Sequence, residues 1–185
     1  ALACMGKVEG ATPFDYGLAT QVILHLLRWP LLQGAEAPNA VLVFLSGIKE
    51  IQQMQRVLVS SDSSLAEEPA CSWILPLHGS LPPEEQRLVF RRPPPGVRKV
   101  VLATNIAETS ITIDDIRFVV DTARMKETRY DALRRLVSLE DVAVPRASAR
   151  QRRGRAGRVA PGVCVHLVTR YCYEELLEAY QLPEV

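Results

Sequence analysis

The densest chemistry in this chain lies in Gln151-Arg152-Arg153-Gly154-Arg155-Ala156-Gly157-Arg158. The octet closes a basic run from Arg146 to Arg158 that contains no acidic residue. If the run is helical over 147–158, Gln151, Arg155 and Arg158 fall at i, i+4 and i+7 and share one face. That face would present one amide and two guanidiniums to one partner. Guanidinium forks suit phosphate oxygens, because they donate bidentately and stay charged at any working pH. Gly154 and Gly157 each cost a helix roughly 1 kcal/mol relative to Ala. Two such costs in one helix imply a close approach to the backbone. The alternative is a solvated face, a localisation signal or a nonspecific nucleic-acid patch.

A second cluster, Ala103-Thr104-Asn105-Ile106-Ala107-Glu108-Thr109-Ser110-Ile111-Thr112-Ile113-Asp114, is dense in small hydroxyl and amide groups. Such side chains, with exposed backbone N–H groups, suit nucleotide phosphates or a nucleic-acid backbone. A strand end with capping residues is the plainer reading. Glu108 reads equally as a structural ion-pair partner, and Arg146, Arg152 and Arg153 as solvated or structural. Phe90 sits three residues after Arg87 on an amphipathic stretch, and periodicity alone makes it core. His78 reads as a turn residue.

The elements that must position these clusters follow from apolar patterning. The segment 15–29 has Leu18, Val22 and Leu26 at helical spacing, with Ile23 and Leu27 alongside, and Pro30 to stop it. Short apolar runs at 40–45, 73–77, 99–103, 117–121 and 163–168 read as strands. Helices are expected over 48–59, 82–90, 147–158 and 171–180. The polar stretch 60–69 reads as a mobile surface loop, 91–96 as a proline-rich loop, and 128–144 as a hairpin. Strands alternating with helices predict a parallel sheet covered on both faces. Ligands bind such sheets at the carboxyl ends of the strands. Ser46-Gly47, His78-Gly79-Ser80 and Thr104-Asn105 each follow a strand, so one edge should carry all three.

Size and composition fit one globular domain: 185 residues, 48% hydrophobic and 23% charged. The net charge of +1 means that any nucleic-acid affinity comes from local clusters. Cys4, Cys71, Cys164 and Cys172 form no CxxC pair, and His25, His78 and His166 have no metal-ligand spacing. These features point to a reduced intracellular compartment, cytoplasmic or nuclear with the cytoplasm preferred, and no apolar run is of membrane-spanning length. Ala1 and the closing Leu182-Pro183-Glu184-Val185 suggest a piece of a longer protein.

ATNIAETSITID, followed 37 positions after Asp114 by QRRGRAGR, resembles motifs V and VI of the DEAH-box (DEAH/RHA) RNA helicases. Val43-Phe44-Leu45-Ser46-Gly47 resembles motif IV. Leu77-His78-Gly79-Ser80-Leu81-Pro82 with Gln86-Arg87-Leu88-Val89-Phe90 resembles the next block of that family. The resemblance runs from about residue 15 to the end and implies the second RecA-like, helicase C-terminal domain: an α/β three-layer fold with a mainly parallel sheet and a protruding β-hairpin, here Lys126–Val142. On it, residues 1–12 are a lead-in, 13–181 the domain and 182–185 the entry to a winged-helix region. With no GxxxxGK[ST] and no DExH in the chain, it implies half of an ATP site, with Mg2+ held mainly by a first RecA-like domain.

Residue by residue, the resemblance makes Arg155 and Arg158 arginine fingers, and Gln151 the residue that orients the attacking water or contacts the γ-phosphate. It makes Phe90 the base-stacking aromatic and Thr112 and Asp114 nucleotide contacts, with Asp114 on the ribose. Ser110 becomes the sensor of nucleotide state, and Ser46, Gly47, Gly79, Thr104 and Asn105 the RNA-facing set. Asp115 stands where the family commonly has Gly, and Arg91-Arg92-Pro93-Pro94-Pro95 is a shortened loop. The implied partners are ATP, RNA and the flanking domains of the same protein. The rival is a degenerate, inactive helicase-like scaffold for RNA or protein, and a second rival is a DNA-directed relative.

Overall fold

The computed structural model describes residues 14–30, 39–109, 111–131 and 136–180. The first helix, α1 (Tyr16–Leu27), starts where Asp15 accepts a hydrogen bond from the Leu18 amide at 2.9 Å, satisfying an otherwise orphaned donor. Its buried face is Ala19, Ile23 and Leu26, rotated slightly from the expected Leu18–Val22–Leu26 seam. After β1 (Ala40–Phe44) comes α2 (Ile48–Ser61), which turns Ile51, Met54 and Leu58 inward. The expected loop at 60–69 instead contains a short helix, α3 (Ser63–Ala66), because Asp62 caps it by accepting from the Ser64 amide. Then follow β2 (Ile74–Leu77), α4 (Pro83–Arg87) and a 3-10 turn at Leu88–Phe90. Next come β3 (Val100–Ala103), α5 (Ile106–Thr109) and β4 (Ile116–Asp121).

The main sheet has the order β2-β3-β1-β4-β7, where β7 is Val163–His166, and every pairing in it is parallel. Side chains alternate across its two covered faces, as the pleat requires. On one face Val41, Val43, Val100, Leu102, Phe118 and Val120 pack against α1 and α2. On the other, Leu42, Phe44, Val101, Ala103 and Val119 meet Val89, Ala107 and Ile113. Burying each such Val, Leu, Ile or Phe stabilises by about 1.5–3 kcal/mol. The apolar runs of the sequence are therefore continuous, because neither face of β1 or β3 reaches water.

β5 (Arg124–Asp131) and β6 (Leu136–Ala143) form an antiparallel hairpin with unbroken register from Arg124↔Ala143 to Asp131↔Leu136. The chain leaves the sheet for the hairpin through Ala123, whose φ of +55° is left-handed for a residue with a Cβ. Asp121 Oδ1 accepts from the Ala123 amide at 2.9 Å and holds that turn. Nothing in the sequence marks Ala123 for this conformation.

Three expected helices are cut short, the first being that over 82–90, which gives way to the 3-10 turn at Leu88–Phe90. α6 spans Arg146–Arg153, not 147–158, so Gln151, Arg155 and Arg158 do not share a helical face. The glycines explain this. Gly154 is the C-cap, and Gly157 takes a φ of +78°, which suits a residue without a Cβ. The close backbone approach that two glycines implied is found at Gly157 alone and is internal, whereas a Cβ on Gly154 would meet only carbonyls of its own helix. A Cβ on Gly162 would sit 2.4 Å from the Gly157 amide nitrogen and 2.6 Å from the Arg117 carbonyl. At the end of the chain, the helix expected over 171–180 is a π-type turn at Cys172–Leu176. The strand expected at 163–168 ends at His166.

Candidate nucleotide and nucleic-acid site

Because the sheet is wholly parallel, the turns after β1, β2 and β3 lie on one edge, as the sequence required. Gly79 there is exposed, with open space where a Cβ would stand, and Asn105 is exposed. Thr104 is buried, with its amide bonded to the Leu77 carbonyl. Ser46 and Gly47 are buried too, beneath the base of the hairpin. Ser46 donates its hydroxyl to Asp141 Oδ2 at 3.0 Å. A Cβ on Gly47 would lie 2.8 Å from both Lys126 Nζ and Glu50 Oε2, which pair with each other at 2.9 Å. With Arg124 Nε donating to Asp141 Oδ1 at 2.9 Å, these contacts clamp the hairpin root to the sheet edge.

The second cluster and the octet meet on the sheet face that carries α5 and α6. Past the end of α6, Arg155 Nη1 donates to the Ile111 carbonyl at 2.8 Å, and Arg158 Nη1 donates to Thr112 Oγ1 at 2.9 Å. Both guanidiniums line a small hollow with Ala107, Ile111 and Ile113. Burial, and then the positive charge of Arg158, hold the Arg155 guanidinium below its ordinary value, with Glu108 opposing. A guanidinium stays protonated under such a shift, so two like charges are held side by side. That arrangement favours an anion arriving between them. Asp114 is exposed just beyond Thr112, and Gln151 is exposed on the last turn of α6. Phe90 is 51% exposed and therefore not core. Ser110 lies outside the described residues.

Of the two readings the sequence offered for Arg152, solvated or structural, the second is the one found. Its side chain is 0% exposed. Arg152 Nε donates to Glu108 Oε1 at 2.7 Å, and Nη1 donates to Asp121 Oδ1 at 2.8 Å and to the Arg124 carbonyl at 3.1 Å. Its guanidinium carbon lies 4.8 Å over the Phe44 ring. Asp121 Oδ2 also pairs with His166 Nδ1 at 2.9 Å. One side chain thus ties together α5, the end of β4, the start of β5 and α6. Glu108 is the structural ion-pair partner that the sequence had offered as one reading. The available signal for Arg152 was its spacing from the glycines, which does not distinguish it from Arg153.

Burial alone would raise the Asp121 carboxyl, but its bond with His166 and the charge and bond of Arg152 outweigh that and hold it below the ordinary carboxylate range. A carboxyl depressed in the folded state contributes stability that is present above its unfolded value, about 3.9. That stability is lost as pH falls from there through the folded value. The thermal midpoint of the purified chain should therefore drop on acidification below about pH 4. Asp121→Asn should flatten that acid limb. An unchanged limb in the variant would mean that another group carries it.

Residues 20–160 match the helicase conserved C-terminal domain. The chain is 50% identical over 167 residues to DHX57 of Mus musculus, an ATP-dependent RNA helicase by name, covering 89% of this chain and 12% of that protein. It is 44% identical over 169 residues to the ATP-dependent DNA/RNA helicase DHX36 of Homo sapiens, covering 89% of this chain and 16% of that one. The crystal structure of the E. coli DExH-box NTPase HrpB superposes with a TM-score of 0.76 at 38% identity, covering 94% of this chain and 20% of that chain. The chain thus spans only a small part of the relatives it matches. With its parallel RecA-like sheet, its antiparallel hairpin and motifs V and VI in contact, this chain belongs to the helicase conserved C-terminal domain family, in the form carried by the DEAH/DExH-box ATP-dependent helicases.

Proposed function

We propose that this chain is the second RecA-like half of an ATP-dependent RNA helicase and forms one lip of an interdomain nucleotide cleft. The observation that carries this reading is the docking of Arg155 and Arg158 on Ile111 and Thr112, which sets two guanidiniums side by side. Arg155 and Arg158 act as arginine fingers that stabilise charge on the transferring phosphoryl group. Gln151 orients water or meets the γ-phosphate. Phe90 stacks on the base, and Thr112 and Asp114 contact the nucleotide. Ser110 reports nucleotide state. The Mg2+ that accompanies ATP would be held mainly by the first RecA-like domain.

Gly79 and Asn105 grip the RNA backbone from the sheet edge, and Thr104, buried beside Asn105, serves that contact by holding the turn. Ser46 and Gly47, being buried, serve the RNA track through the hairpin that they anchor. The protein works inside the cell, next to a first RecA-like domain, with 13–181 as the domain proper, 1–12 as lead-in and 182–185 opening a winged-helix region. Among the described residues no helix is long and apolar enough to cross a membrane. The purified 185-residue chain should show negligible ATPase activity and weak RNA binding that falls steeply with salt. Robust turnover by this chain alone would overturn the half-site reading. DNA enters as a second substrate, since one relative is a DNA/RNA helicase by name. Tighter binding of single-stranded DNA than RNA at equal salt would make DNA the primary one.

A further inference from the structure

Lys99, immediately before β3, has a side chain that is 0% exposed. Its ammonium donates to the Val89 carbonyl at 2.6 Å and the Arg91 carbonyl at 2.9 Å, and meets Asp115 Oδ1 at 2.8 Å. An ammonium has three donors, and all three are used. Burial pushes the Lys99 pKa down, while the bond and charge of Asp115 oppose the shift and Arg92 adds to it. A buried pair of this kind returns little net stability compared with apolar residues of the same size. Its particular feature is therefore what it connects.

The two carbonyls flank Phe90 on either side. The carboxylate belongs to the residue after Asp114. Val89 is buried in the sheet-face core while Phe90 is 51% exposed, so the 3-10 turn is anchored inside and carries the ring outside. We propose that Lys99 and Asp115 form a positioning clamp that fixes Phe90 and Asp114 relative to each other and so sets the geometry of the base-and-ribose pocket. The clamp rests on the nucleotide reading given above. Neither Lys99 nor Asp115 touches nucleotide in this arrangement. Both act through their neighbours, and Asp115 takes this role at a position where the resemblance leads one to expect Gly.

The test uses the full-length protein that contains this chain, with ATP turnover measured at saturating RNA. Phe90→Ala and Asp114→Ala serve as controls for the pocket itself. Lys99→Met with Asp115→Leu removes both charges together and fills the site with apolar groups, so no buried charge is stranded. The double variant should raise KM for ATP about tenfold, the size of one lost base stack, with kcat within about twofold. A purely structural role would lower the thermal midpoint and leave KM alone. If the controls raise KM and the double variant does not, the clamp is overturned and the nucleotide reading stands. If neither control raises KM, the nucleotide reading falls first, and the clamp with it. Should the double variant fail to fold, Asp115→Asn decides, because it keeps an acceptor and removes only the charge. A rise of about threefold in KM supports the clamp, and an unchanged KM overturns it.

Discussion

Replacing Arg158 with alanine in the full-length protein should lower RNA-stimulated ATP turnover by a factor of about 10³ or more. That factor corresponds to roughly 4 kcal/mol of transition-state stabilisation. The folded state should be almost untouched. Arg158 is exposed, and its one described bond, to Thr112 Oγ1, is a surface contact. A surface substitution of that kind changes stability by about 0.5 kcal/mol or less. Arg155→Ala should cost a comparable factor in turnover and somewhat more in stability, because Arg155 is buried to 9% exposure and bonds the Ile111 carbonyl. Lysine at either position keeps the charge and loses the planar fork, so it should restore only part of the rate. RNA affinity at fixed salt should stay near its starting value in all of these variants. Near-normal turnover in Arg158→Ala would remove the finger assignment outright, since no structural effect could conceal it.

Arg152→Ala should behave in the opposite way, as a loss of fold. It would leave Glu108 and Asp121 buried without their shared cation. Breaking a buried pair by removing one partner costs about 3–5 kcal/mol. In a domain of this size, that lowers the thermal midpoint by on the order of 10 °C. Turnover in the full-length protein should fall with the folded fraction and recover on cooling, which separates this variant from the finger variants. The uncompensated carboxylates should account for most of the loss. Adding Glu108→Gln and Asp121→Asn to Arg152→Met should therefore regain part of the midpoint. If Arg152→Ala melts within about 2 °C of the parent, the network is not a structural hub, and Arg152 returns to the ordinary class of surface arginines.

The sequence made the architecture legible because a parallel sheet covered on both faces leaves a strong signature. Strands such as Ala40–Phe44 and Val100–Ala103 must be apolar at every position, and runs of that kind are easy to read. Alternation with helices then made the sheet parallel, and parallel strands put the turns at Ser46, Gly79 and Thr104 on one edge. The partners across that edge were not legible. That Ser46 serves Asp141, 95 residues away, depends on how the hairpin root packs. Phe90 shows the same limit from the other side. Periodicity counts an aromatic at helical spacing as core, but the helix breaks into a 3-10 turn at Leu88–Phe90 and the ring emerges.

The octet marks the boundary between the two kinds of knowledge. Its residue types were enough to name the chemistry: guanidiniums for phosphate, glycines for a close approach. Its order after the 103–114 cluster was enough to identify the domain family. The sequence could not determine which arginine does what, because four arginines within seven positions carry identical side chains. Tertiary structure separated them by burial. Helix α6 stops at Arg153, since Gly154 caps it and Gly157 turns left-handed. Arg152 is thereby left fully inside, facing two carboxylates, while Arg155, at 9% exposure, turns to the Ile111 carbonyl and Arg158 reaches the surface against Thr112. A guanidinium wholly excluded from water must find charged partners within the fold, whereas one that keeps an edge to water can meet a ligand. That difference in solvation cannot be read along a chain, because it depends on residues 31 to 44 positions away.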